Sequence, residues 1–303
     1  MSTHNSTYRD HFSTYINDFV ELLISNSEVN SFLLMFAIFL VLILAFIEIS
    51  KFMLIGFDIE SVTQSILMVF VTLTLMKGFP YAFDVAHETL DKFGLLVLRL
   101  GTGNEDVFFL SKWINKYLYY IYGGDDASIW NMSVGDVLFA LLWHVVSFIL
   151  QAAMYAVGAW ATWTLALAKI IGLFFVPCLI LPATRSLFDG WLQFTIGSLL
   201  LLIILRAIGV LVALGIKAQF VSIGLLTCNN GQDFAGCTVS ARSGFGVSAA
   251  DMMEMLLGMA ISVLLIAGAI GLTAMIAGKV ASPSKAVGQG MGKMAGKIAS
   301  FIK

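Results

Sequence analysis

Between residues 136 and 181 the chain runs for 46 residues with Lys169 as the one Lys, Arg, Asp or Glu after Asp136. Drawn as one helix at about 1.5 Å per residue, that run would measure roughly 69 Å, more than twice the thickness of a hydrocarbon core of about 30 Å. The length rule therefore predicts two helices: a partly interfacial one around Trp143, His144 and Gln151, and a spanning one over residues 161–181. Composition points the same way. Hydrophobic residues make up 59% of the 303 and charged ones 12%, with a mean hydropathy of +0.92, where soluble domains average about 25% charged. Disorder, a coiled coil and a water-soluble enzyme are excluded. Seventeen Lys and Arg against 19 Asp and Glu leave a formal charge of −2, so no global basic field is available to hold nucleic acid.

The remaining apolar runs complete an all-α, polytopic membrane protein. Spans are expected at residues 32–49, 61–76, 191–216 and 252–277. The second of these is short and threaded with Thr63, Gln64, Thr72 and Thr74, and Lys77, Gly78 and Pro80 close it. One side of it should face protein. Together with residues 136–181 this gives five transmembrane helices, or six if the long run crosses twice. The chain divides into an amphipathic segment at 1–30, two spans in 31–80, a polar amphipathic region at 81–135, a helical core at 136–278 and a Lys-rich tail at 279–303. In the first segment Phe12, Tyr15, Ile16, Phe19, Val20 and Leu23 recur at helical spacing, as on a surface helix. Gly101, Gly103 and Asn104 break the central region once, and Gly123, Gly124, Asp125 and Asp126 break it again.

Two signals orient the C-terminal half. Cys228 and Cys237 bracket a polar turn inside the loop 222–250 and read as a disulfide, which persists in an oxidising compartment such as the bacterial periplasm. Two unrelated free thiols are the alternative. Cys178, inside an apolar run, reads as a small buried hydrophobe. Beyond the last span, Lys279, Lys285, Lys293, Lys297 and Lys303 stand without an acid among them, which marks a cytoplasmic side. That tail fits an amphipathic helix on anionic lipid; a cytoplasmic partner or a nucleic-acid strand is the other reading. Upstream, the side depends on whether residues 136–181 cross once or twice.

Nothing clusters for catalysis: the histidines at 4, 11, 87 and 144 are scattered, and no zinc-protease or Walker motif occurs. No enzyme, cofactor or metal site is expected. Lys169 and Arg206 lie inside apolar runs, where a charge costs about 2.5–3.5 kcal/mol and needs water or a partner. They mark either a lined cavity or structural ion pairs. Glu48 and Lys217 read as span-end, interfacial charges. Small residues four apart, such as Ala152 with Ala156 and Ala267 with Gly271, permit close helix contacts, either between copies in a homo-oligomeric channel or within one subunit.

Residues 181–192 read Leu-Pro-Ala-Thr-Arg-Ser-Leu-Phe-Asp-Gly-Trp-Leu between two long apolar runs. As a cytoplasmic hinge, Pro182 would end one helix, Asp189 would cap backbone donors or pair with Arg185, and Trp191, after Gly190, would anchor the next helix at the interface. This segment, with Pro182, Thr184, Arg185, Asp189, Gly190 and Trp191, resembles the hallmark of TrbL-type polytopic inner-membrane subunits of bacterial type IV secretion and conjugation machines. The order of spans, the central polar region and the Lys-rich tail are similar to that family too. The resemblance implies a bacterial inner-membrane channel or platform component that supports substrate translocation and pilus or stalk assembly. It implies an external N-terminus, a periplasmic central region and five spans. Implied partners are further copies of itself in a ring, the pilin and minor stalk subunit, bitopic scaffold and core-complex subunits, cytoplasmic ATPases and membrane lipid, with nucleic acid entering only as a translocated substrate. A secondary transporter or small-solute channel is the alternative, although it would be expected to carry internal repeats.

Overall fold

The computed structural model describes residues 8–56, 58–106, 109, 112–114, 134–224, 226–228, 234, 237–239 and 249–277. Helix α1 (Tyr8–Ser25) is followed by α2 (Ser27–Ile55), α3 (Ile59–Thr102), α4 (Val134–Phe175), a 3-10 turn (Pro177–Leu179), α5 (Arg185–Ser222), a two-strand hairpin of β1 (Leu226–Cys228) and β2 (Cys237–Val239), and α6 (Ala249–Ala277). Among the described residues five helices are long and apolar enough to cross a bilayer: Ser27–Leu54, Ile59–Thr102, Leu141–Phe175, Arg185–Ser222 and Met253–Ala277. The chain is an all-α polytopic membrane protein.

Each helix boundary has a local cause. Asn26 separates α1 from α2 because its side-chain oxygen accepts the Glu28 and Val29 N–H groups at 2.8 and 3.2 Å, a helix cap. At the end of α2, Gly56 takes φ 99° and donates its N–H to the Phe52 carbonyl at 3.1 Å. Asp58 then accepts the Glu60 N–H at 3.1 Å, where α3 starts. Gly103, at φ 72°, closes α3 through a bond to the Arg99 carbonyl at 2.8 Å. These two glycines hold a left-handed backbone that a side chain would strain.

Two elements depart from the length rule. The run expected to hold two helices holds one, α4, of 42 residues, and α3 does not close at Pro80 but continues to Thr102, for 44 residues in all. At about 1.5 Å per residue they measure roughly 63 and 66 Å, and neither fits within the hydrocarbon. A helix closes its own backbone bonds in lipid and in water alike, so leaving the bilayer does not require a break. Pro80 withholds one N–H from the ladder, a cost of about 3 kcal/mol that the helix carries without ending. Residues 81–102, expected to lie apart from the spans, are thus the second half of α3. The expected break at 123–126 and the tail at 279–303 lie outside the described residues. Within the weak span, the buried Thr72 donates to the Met68 carbonyl at 2.8 Å and Thr74 to Phe70 at 2.9 Å. Each hydroxyl is satisfied by its own helix, which is how such residues are tolerated in an apolar helix.

The described residues form two compact units. The first draws on residues 1–87, 162–199 and 275–303, the second on 88–161 and 200–274. In the first, Ala37, Leu40 and Leu44 of α2 form a buried cluster with Ile180 and Leu181 from the segment after α4. In α1, Tyr15 and Phe19 are exposed while Val20 is buried. Helix α5 is the most covered of the five: 61% of its most apolar stretch is buried inside the protein, against 22–33% in the other four.

Candidate functional site: a hinge and two ion pairs

The hinge begins earlier than the sequence pattern implies. Helix α4 stops at Phe175: Val176 keeps helical dihedrals and still bonds the Gly172 carbonyl at 3.0 Å, but Pro177 has no N–H to donate and its ring crowds the turn before it. Pro182 does not end a helix; it sits exposed in a turn closed by the Thr184 N–H on the Leu181 carbonyl at 3.1 Å. The Thr184 hydroxyl donates to the Cys178 carbonyl at 2.7 Å, and Arg185 Nε donates to the Leu179 carbonyl at 3.1 Å. Both side chains thereby reach back over the 3-10 turn and satisfy carbonyls that the interrupted helix leaves open. Asp189 is buried in the first turns of α5, and Gly190 is exposed. Cys178 is buried, and desolvation pushes its thiol pKa up.

Trp191 is not an interfacial anchor. It is buried, and its indole N–H donates to the Ala168 carbonyl of α4 at 2.8 Å. Its ring meets Phe79 of α3 edge-on at 5.3 Å and Phe188 at 5.4 Å. Gly172 makes this possible: a Cβ there would come within 2.5 Å of the Phe79 ring and 2.6 Å of Trp191. The aromatic-Asp-Gly-Trp string therefore works as a packing key, with the indole hydrogen bond fixing its orientation.

Lys169 and Arg206 each meet an acid from α3. In the first unit, Lys169 Nζ bonds Asp84 Oδ1 at 2.6 Å, with side-chain exposures of 14% and 56%. In the second unit, the Arg206 guanidinium grips Asp91 through both its carboxylate and its backbone carbonyl. The Arg206 side chain is 6% exposed and that of Asp91 33%. Here too a glycine makes room: a Cβ on Gly94 would stand 2.6 Å from Arg206 Nη1, and one on Gly101 would stand 2.2 Å from a methyl of Val210. Helices α3 and α5 thus meet along a seam where Asp91 supplies the charge and Gly94 and Gly101 leave the α3 backbone bare.

The sequence pattern does not single out Asp84, Asp91 or Gly94, because residues 81–133 read as polar surface, and it marks Gly101 only as part of a break. The available signal was the seven-residue step from Asp84 to Asp91, which puts both acids on one face of a helix, combined with two intramembrane cations in need of partners.

Two span-end charges also found definite settings. Glu48 accepts Lys51 Nζ at 2.8 Å and the hydroxyls of Ser61 and Ser65 at 3.1 and 3.2 Å. It lies beside a cleft of about 450 Å³ at the α2–α3 turn. Lys217, expected at an interface, is buried. Cys228 and Cys237 are joined in a disulfide across the hairpin, where they are register partners. Among the described residues no three His, Cys, Asp or Glu side chains gather in the manner of metal ligands.

Set against models of known protein families the chain has no match, and set against curated protein sequences it has none either.

Proposed function

We propose that this chain is a TrbL-type inner-membrane component of a bacterial type IV secretion or conjugation machine, a non-enzymatic platform for pilus or stalk assembly that contributes to the translocation path. The observation that carries the reading is the segment 181–192. Its Thr184, Arg185 and Trp191 each take a specific hydrogen bond, at 2.7, 3.1 and 2.8 Å, so the residues that make the resemblance also build a firm joint between α4 and α5.

Topology supports the same reading. Five helices that each cross once leave the two ends of the chain on opposite sides of the membrane. With the disulfide hairpin on the oxidising, periplasmic side, the N-terminus and residues 103–133 are periplasmic, and the α2–α3 turn, the hinge and the Lys-rich tail are cytoplasmic. The chain then offers surfaces to periplasmic partners (pilin, minor stalk subunit, bitopic scaffold and core subunits) and to cytoplasmic ATPases, with copies of itself arranged in a ring. Pairing of Lys169 and Arg206 with Asp84 and Asp91 favours a load-bearing framework over a cation-lined conduit. DNA or protein is cargo.

The test is deletion of the gene in a cell that carries the rest of the machine. Substrate transfer and surface filaments are both expected to disappear, and both return with the intact chain supplied in trans. Normal transfer without the chain overturns the proposal, as does solute uptake by the purified chain alone in liposomes, which is the behaviour of a secondary transporter.

A further inference from the structure

Strands β1 and β2 have three residues each, and a two-stranded hairpin of that size has little stability of its own in water. Two things hold it. One is the Cys228–Cys237 bond. The other is Phe234, inside the ring that this bond closes and only 3% exposed. Its ring meets Phe109 edge-on at 5.1 Å and Trp113 edge-on at 5.2 Å, and Lys217 Nζ stands 4.7 Å from its centroid. Trp113 in turn stacks on the fully buried Phe220 of α5 at 5.6 Å. Edge-to-face contacts and a partly desolvated ammonium over a ring both add to what area burial alone provides. Phe234 is a plug, and Phe109, Trp113, Lys217 and Phe220 are its socket.

We propose that this hairpin is a redox latch: the closed Cys228–Cys237 bond keeps Phe234 seated in the aromatic socket, and reduction of the bond releases it. Closing a loop of this size removes open-chain conformations and favours the seated state by about a hundredfold. In the closing step the thiolate of one cysteine attacks a disulfide oxidant, and the other cysteine then displaces the mixed disulfide. Two protons and two electrons leave the cysteines, and the oxidant departs as two thiols. Opening is the reverse, with a dithiol reductant taking the place of the cysteine pair. A chain still in a reducing compartment therefore has an open socket, and arrival of the loop in an oxidising one shuts it.

Hydrogen–deuterium exchange on the full-length protein in detergent, with and without dithiothreitol, tests this. Reduction is expected to raise exchange at least tenfold in the hairpin and in the socket segments around Trp113 and Phe220, with α2 unchanged. The variant Phe234→Ala should open the socket with the disulfide intact, and Phe234→Tyr should keep it closed. Exchange that rises in the hairpin alone overturns the latch, because Phe234 then stays seated without the bond. A rise across every helix overturns it too, because the bond then holds the whole fold. A socket that stays protected in Phe234→Ala shows that the plug is not what covers it, and also ends the proposal.

Discussion

Helix α3 carries two acids seven residues apart, and each neutralises a cation from another helix, yet the two pairs are different objects. Asp84 shares its face with the exposed Glu88–Lys92 pair, and its own side chain is 56% exposed. Asp91 faces a guanidinium that is 6% exposed, boxed in by the bare backbone at Gly94. The first pair neutralises a lysine at an open surface. The second is part of the packing, and its geometry is fixed by two hydrogen bonds to one residue. A charge inside an apolar run is thus a question about its partner's surroundings as much as about its own.

The largest effect expected from this contrast is at the buried pair. Arg206→Ala or Asp91→Ala leaves the opposite charge without its partner, which costs about 3–5 kcal/mol. The outcome is a drop in protein abundance and in melting temperature in detergent. The double variant Asp91→Leu with Arg206→Met should recover most of the loss, since an apolar pair of similar volume is often neutral or stabilising. If the double variant is as unstable as either single one, the pair is not what holds the site.

Next in size is the seam. Gly101→Ala places a Cβ 2.2 Å from Val210 Cγ1, and the overlap should cost about 1–3 kcal/mol, again read as a lower melting temperature. Adding Val210→Ala should return part of it, because the two changes share one contact and are not additive. Asp84→Asn should matter least among the charges, within about 1 kcal/mol, as solvent screens an open pair. An effect there equal to that of Asp91→Ala would erase the contrast between the pairs. The smallest effect is chemical: burial raises the Cys178 pKa, so less thiolate is present at a given pH than for a free thiol. Iodoacetamide should label Cys178 in the folded protein more slowly than in the denatured one, with the modified fraction followed by mass spectrometry.

Where hydropathy has one strong meaning, the fold could be read directly. Residues 32–49 and 252–277 lie within α2 (Ser27–Ile55) and α6 (Ala249–Ala277), since those helices are close to bilayer length. Helices α3 and α4, of 44 and 42 residues, depart from that length. There the thickness of the hydrocarbon limits only the apolar part of a helix and not the helix itself. The hinge was visible as a motif but not as a mechanism. Trp191 in a sequence carries the same belt signal whether it lies in headgroups or against Ala168, and only the missing side chain of Gly172, nineteen residues earlier, distinguishes the two. The acids of α3 were hidden for a related reason: a polar stretch reads as surface until the cations that need it are placed beside it.

One turn of α4 has a mechanical consequence. Ala168 is tied to α5 by the Trp191 indole and Lys169 to α3 by Asp84, while Gly172, one turn on, admits the Phe79 and Trp191 rings. Three helices are tied within five residues of α4, so tilting that one turn would have to break a hydrogen bond, an ion pair or a ring contact at the same time.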